Sequence, residues 1–262
     1  MIIQDIDKGK PFDWGKTSDD YAKYRDIYPQ EFYDYILKLG LCRDGQNVLD
    51  IGTGTGVLPR NMYKYGAKWS ASDIAQNQIR QAKELAERSS MKIDFFVTGA
   101  EDVSFPDNTF DVIIACQCIW YFDHDKTSLS FARMLKPGGR FLILYMGWLP
   151  YEDKIAAKSE EIILKYNPDW SAHGDTVHPV WVPDQYLNTF ELLSREQFRV
   201  DVPFTIEGWH GRMRACRGVG ASMTPKQLSL WDKEHIQMLK DEASENFIVK
   251  HYISIAQLQV KK

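Results

Sequence analysis

An acid followed by three alternating glycines, Asp50-Ile51-Gly52-Thr53-Gly54-Thr55-Gly56, is the densest chemical signal in the chain. The apolar pair Val48-Leu49 leads into it as a strand end, and a helical pattern follows. Glycine accepts φ/ψ values and close approaches that a Cβ forbids, so such a turn lets a ligand lie against bare backbone. Asp73 stands at the tip of the next strand-like run, Ala67 to Ser72. That is about where a βαβ unit places an acid for a ribose, and one carboxylate can accept both hydroxyls. The chemistry is then nucleoside binding. Asp73 has a second reading as a cap for the helix from Ala75, a role Ser72 could share. Nicotinamide dinucleotide folds use a glycine-rich turn at the same place, but their fingerprint is G-x-G-x-x-G. Here Val57 follows Gly56, and an acid precedes the first glycine.

Three more segments follow in order. Thr98-Gly99-Ala100-Glu101-Asp102 lies after a third strand, and Ala115-Cys116-Gln117-Cys118-Ile119-Trp120-Tyr121-Phe122-Asp123 runs off a fourth. Leu135-Lys136-Pro137-Gly138-Gly139 stops a helix ahead of a fifth. Together with the glycine turn they resemble class I S-adenosylmethionine (SAM) methyltransferases over roughly residues 45 to 146. The stretch after strand four is similar to the Gln-Ala-x-His-Trp-Phe-Asp pattern of a subgroup that includes trans-aconitate-type small-molecule enzymes. The resemblance implies SAM as cofactor. It assigns to the cofactor Tyr21, Arg25, Asp50, Gly52, Thr53, Gly54, Asp73, Ile74, Gln78, Ala100, Glu101, Cys116 and Gln117. Of these, Gln78 reads from its spacing as facing solvent.

Two positions depart from the family pattern. Gly99 stands where many relatives place an Asp for the adenine amino group. Trp120-Tyr121 stand where the subgroup has His-Trp, which leaves that position without a histidine base. The aromatics could instead wall the sulfonium, a cation–π contact worth roughly 0.5–2 kcal/mol, or simply pack in the core. Acceptor contacts are expected from Tyr24, Trp120, Tyr121, Trp148, Arg212 and Arg214, and catalytic residues stay unassigned. Tyr24, Tyr121, His124 and His210 are candidate proton acceptors. Arg212, Arg214 and Arg217 could clamp a carboxylate or phosphate on the acceptor, or form a solvated, salt-bridged face.

The elements that position these residues alternate. The strands read as Asn47 to Ile51, Ala67 to Ser72, Lys92 to Val97, Phe110 to Ala115 and Arg140 to Tyr145. The intervening helices read as Gly56 to Tyr65, Ala75 to Arg88 and Asp125 to Leu135. Phe198 to Ile206 and Phe247 to Val260 read as later strands. Helices are expected at residues 30 to 39, from Asp153 to Tyr166 and from Thr224-Pro225, the last in cap-then-proline order. This is an α/β doubly wound sheet. The resemblance makes it seven-stranded, mostly parallel, in order 3-2-1-4-5-7-6 with the last strand antiparallel. Three segments are expected: residues 1–40 as a helical lid over the cofactor, 41–147 as the SAM-binding core, and 148–262 as an acceptor cap plus closing strands.

With 262 residues, 44% of them apolar and 13% aromatic, the chain can bury a full core. A net charge of −4 argues against a general nucleic-acid partner. The four cysteines form no zinc spacing, so no metal is expected, and free thiols suit a reducing cytoplasm. No signal-like or membrane-spanning run occurs. The expected partner is a small-molecule acceptor, with the protein a monomer or homodimer. Two alternatives stand beside the methyltransferase reading: a non-catalytic SAM-binding regulatory protein and a nicotinamide-dependent oxidoreductase.

Overall fold

Strands that feed a ligand turn in a parallel sheet are covered by helices on both faces, so they read as nearly unbroken apolar runs. The computed structural model describes residues 1–261. Its strands are β1 (Asn47–Ile51), β2 (Lys68–Asp73), β3 (Asp94–Val97), β4 (Phe110–Cys116), β5 (Leu135–Trp148), β6 (Phe190–Thr205) and β7 (Asn246–Val260). They form one seven-stranded sheet in the order β3-β2-β1-β4-β5-β7-β6. β1 pairs in parallel with β2 and with β4, β2 with β3, and β4 with β5. The order reverses between β1 and β4, so the crevice beyond their carboxyl ends is the topological switch point where ligands of open α/β sheets bind.

Nine α-helices are defined among the described residues: α1 (Ser18–Tyr24), α2 (Gln30–Lys38), α3 (Val57–Met62), α4 (Gln76–Arg88), α5 (His124–Met134), α6 (Lys154–Tyr166), α7 (Asp184–Thr189), α8 (Ile206–Arg214) and α9 (Pro225–Glu242). α9 begins as its sequence dictates. Thr224 and Gln227 form a reciprocal capping box, and Pro225 opens the first turn. Asp153 likewise caps α6, accepting from the amides of Ile155 and Ala156. No helix among the described residues is long and apolar enough to cross a membrane.

By its internal contacts the chain divides into two units. The first comprises Met1–Ile27, Gly147–Val177 and Arg199–Tyr252; the second comprises Tyr28–Met146, His178–Phe198 and Ile253–Lys262. The second unit is built on a core in which Leu49, Ile51, Ile113, Phe131, Phe141 and Ile143 pack with Tyr186 and Phe190. In the first, Trp148, Trp170, Trp209 and Trp231 pack with Ile163, Met213 and Leu239.

Several elements differ from the sequence reading. Pro137, Gly138 and Gly139 do not precede β5 but lie inside it. The pairing shifts between Phe110↔Leu135 and Val112↔Arg140, so the extra residues are absorbed as an irregularity at the strand start. β6 starts at Phe190 rather than Phe198. α8 occupies a stretch read only as a strand end and an arginine cluster. Gly211 is required there by packing, because a Cβ at that position would come within 2.2 Å of the Tyr24 ring.

Candidate active site

Asp50, at the end of β1, is 1% exposed. Its Oδ2 accepts a 2.6 Å hydrogen bond from Thr53 Oγ1, while its buried Oδ1 has no partner. Gly52, Gly54 and Gly56 all lie in the left-handed region, with φ of 67°, 57° and 72°. Two of them are also fixed by space. A Cβ on Gly52 would sit 2.8 Å from Cys118 Sγ, and one on Gly56 would sit 3.1 Å from the Phe95 ring. The turn therefore needs glycine for both backbone conformation and packing.

Asp73, at the end of β2, braces the same turn. Its Oδ2 accepts from the Gly54 amide at 2.9 Å and its Oδ1 from the Ala75 amide at 2.8 Å. Ser72, offered by the sequence as an alternative cap, has a buried Oγ with no hydrogen bond. A carboxylate keeps further lone pairs after two such bonds, so Asp73 can brace the turn and still accept from a ligand. Burial pushes both acids up. Asp50 rises to about 7, with the Thr53 bond opposing the shift and the charge of Asp73 adding to it. For Asp73, burial outweighs the two amide bonds. Two carboxyls in one poorly solvated turn, one with an orphaned oxygen, suit a cationic ligand group.

The loop after β3 holds Ala100 buried, and Glu101 Oε1 accepts from the Asp123 amide at 2.8 Å. Glu101 thus ties this loop to the start of α5. Ile74 is 59% exposed beside Asp73. Gln78 corrects the sequence reading: it is only 2% exposed, on the inward face of α4.

At the end of β4 the chain bends through Gln117, a non-glycine residue with φ of 61°. Gln117 Nε2 donates to the Met146 carbonyl at 3.0 Å and to Tyr28 Oη at 3.3 Å. Tyr28 Oη also meets Cys116 Sγ at 3.4 Å, and its ring stacks on Phe32 at 4.4 Å. Tyr28 was not singled out from sequence; the only signal was its place before Pro29 and α2. Trp120 packs edge-on to Tyr121 and Tyr145, at 5.8 and 5.5 Å between ring centroids. His124 Nε2 lies 2.8 Å from the Ile119 carbonyl, so that nitrogen carries the hydrogen and cannot take a proton.

The remaining predicted residues belong to the first unit. Arg25 lies 4.7 Å over the Tyr21 ring and donates to its hydroxyl at 3.2 Å. Tyr24 Oη donates to Glu207 at 2.8 Å. Arg214 binds Asp20 at 2.9 Å and Asp232 at 2.5 Å, and Arg217 holds buried Asp7 at 2.8 Å. Arg212 is 2% exposed, with its guanidinium 5.0 Å over Trp148. The three arginines thus have three separate environments. His210 packs against both Trp231 and His235, at 5.1 Å from each, and those two rings stack on each other at 4.5 Å.

Residues 49–143 match the family model described as a methyltransferase domain. A ubiquinone biosynthesis O-methyltransferase of Cereibacter sphaeroides is 31% identical over 144 residues, which is 53% of this chain and 58% of that protein. The chain thus matches little more than half the length of this curated relative. A type II methyltransferase candidate from Anaeromyxobacter dehalogenans shares the fold at 18% identity and a TM-score of 0.59, over 88% of this chain and 96% of that one. A cyclase, SpnF, does so at 17% identity and a TM-score of 0.50, over 86% and 79%. These two likenesses speak to the fold alone. The glycine turn and its two acids lie within the matched segment, so residues 49–143 are similar to a methyltransferase domain, and the sheet order agrees with that likeness.

Proposed function

We propose that this protein transfers a methyl group from SAM to a small-molecule acceptor that carries an anionic group. The observation that carries the reading is the pair of buried Asp50 and half-buried Asp73 around three left-handed glycines, with Asp50 Oδ1 lacking a partner. An ammonium at Asp50 would satisfy that oxygen and relieve the repulsion between the acids. Asp73 would accept the ribose hydroxyls, and Gly52 and Gly54 would let the nucleoside approach the backbone. Ile74, Ala100 and Glu101 would border the adenine, while Gln117 and Cys116 would face the transferring end. SAM supplies the electrophile, a methyl group on a sulfonium.

The work left to the chain is alignment and exclusion of water. Holding two reactants in line can provide much of the acceleration, so no dedicated base is required. Trp120, Tyr121 and Tyr145 offer an aromatic wall at the ends of β4 and β5 that can favour a cation without bonding it. Net acidity supports a small acceptor over nucleic acid. Free cysteines support a cytoplasmic setting, and the working form is a monomer or homodimer.

Isothermal titration with SAM, S-adenosylhomocysteine and NAD tests the cofactor assignment. Saturable binding of the first two and none of NAD is expected; NAD binding without any response to SAM would refute it. Incubation of the protein with methyl-labelled SAM and a pool of cell metabolites, read by mass spectrometry, should place the label on a small anionic product.

A further inference from the structure

In the first unit two arginines of the cluster have acids and one has none. Arg214 is bound by Asp20 and Asp232, and Arg217 by Asp7. Arg212 has no acidic partner among the described residues. Its Nη1 meets Cys216 Sγ at 3.0 Å, its guanidinium covers the Trp148 ring, and its buried Nε has no hydrogen-bond partner. An arginine does not shed its proton, so a guanidinium this deep without a counter-charge is strongly unfavourable. The surroundings add to the imbalance. Burial, and after it the positive charge of Arg25, draws Arg212 below its ordinary range.

His251 does not supply the missing charge. It is fully buried, packs against Phe204 and Trp209, and places Nδ1 2.9 Å from the Val249 carbonyl, so Nδ1 carries the hydrogen. Its buried Nε2 has no partner. Burial, with Arg212 and Arg25 adding, depresses it to about 3, which leaves the ring neutral.

We propose that Arg212 is the receptor for a small-molecule carboxylate, bound against the aromatic walls formed by Trp148 and its neighbours. One positive charge lacks a counter-ion, and one carboxylate neutralises it. The orphaned Nε lies on the edge with which arginine grips two carboxylate oxygens at once. Trp148, which the guanidinium covers, belongs to an apolar cluster with Trp209, Phe204 and Met213 and suits a flat aromatic acid. The inference concerns the first unit alone and does not rest on the methyl-transfer reading.

Benzoate and S-adenosylhomocysteine are titrated into wild-type protein, Arg212→Met and Arg212→Lys by calorimetry, with thermal unfolding measured in parallel. Benzoate binding is expected to fall about tenfold or more in Arg212→Met, the scale of a charge-assisted contact, and less in Arg212→Lys, with S-adenosylhomocysteine affinity unchanged. Free Arg212→Met should melt at or above the wild-type temperature, because it removes an uncompensated buried charge. A loss confined to S-adenosylhomocysteine, with benzoate affinity unchanged, overturns the proposal. Unchanged affinity for both ligands overturns the proposal, as does failure of wild type to bind benzoate when S-adenosylhomocysteine affinity is unaffected by the substitutions. A lower melting temperature of Arg212→Met with binding intact would show a structural role. Binding of S-adenosylhomocysteine to wild type checks the cofactor reading separately, so either idea can fail alone.

Discussion

Asp50 should make ligand affinity depend on pH, and the size follows from its surroundings. Burial holds its carboxyl at about 7 in the free protein. A ligand ammonium beside Oδ1 favours the ionised form, so binding at lower pH must first expel a proton. Between pH 5.5 and 7 the fraction of free protein with Asp50 already ionised rises from about one in thirty to one half. Affinity for S-adenosylhomocysteine should therefore rise on the order of tenfold over that range, while its own α-amino group stays protonated. Calorimetry at the lower pH, in buffers of different ionisation enthalpy, should register proton release. Asp50→Asn should flatten the profile and weaken binding at pH 7. The stability effect has the opposite slope. Because the folded value is raised above the unfolded one, the contribution of Asp50 is fully present below about pH 4 and is lost as pH rises through about 7. A flat affinity profile in wild type, or an unchanged slope in Asp50→Asn, would refute the assignment of Oδ1 to a ligand ammonium.

Other outcomes follow from the same geometry. Asp73→Ala removes two bonds from a charged acceptor to the Gly54 and Ala75 amides, so urea unfolding should show a loss of about 2–4 kcal/mol in addition to weaker SAM binding. Asp73→Asn should keep part of both, and full stability in Asp73→Ala would contradict the brace. Gly52→Ala drives a Cβ to 2.8 Å from Cys118 Sγ at a positive φ, with an expected loss of about 1–3 kcal/mol and of cofactor binding. Arg217→Ala strands Asp7, which is 1% exposed, and should destabilise by about 3–5 kcal/mol in chemical denaturation; a change below 1 kcal/mol would disprove the burial argument.

The glycine turn, its two acids and the strand order could be read from sequence because each is a local pattern tied to one backbone requirement. β6 was half missed because it is the last strand of the sheet, with one flank unpaired. Its charged residues, Glu191, Arg195 and Glu196 among them, leave it looking like a loop. α8 was hidden by Gly208 and Gly211, residues that argue against a helix unless one knows that the Tyr24 ring occupies the space above Gly211. Gln78 looked exposed in a polar stretch, but α4 turns it inward. The fates of the three arginines were out of reach for a different reason. The acids of Arg214 and Arg217 lie 18 to 210 residues away and Arg212 has none among the described residues, and sequence spacing says nothing of such pairings.

Cys118 fills the space that a side chain at Gly52 would need, and its thiol donates to the Ile51 carbonyl at 3.1 Å. Burial pushes that thiol well above its ordinary range, with the charge of Asp50 adding to the effect. So placed, it stays unreactive until the turn opens. Its labelling by excess alkylating reagent then becomes a clock for local opening, in the manner of hydrogen exchange at a protected amide. A ligand that binds only the closed turn slows the clock by a factor of one plus its concentration over its Kd. Cys42, fully buried just ahead of β1, keeps separate time within the same chain.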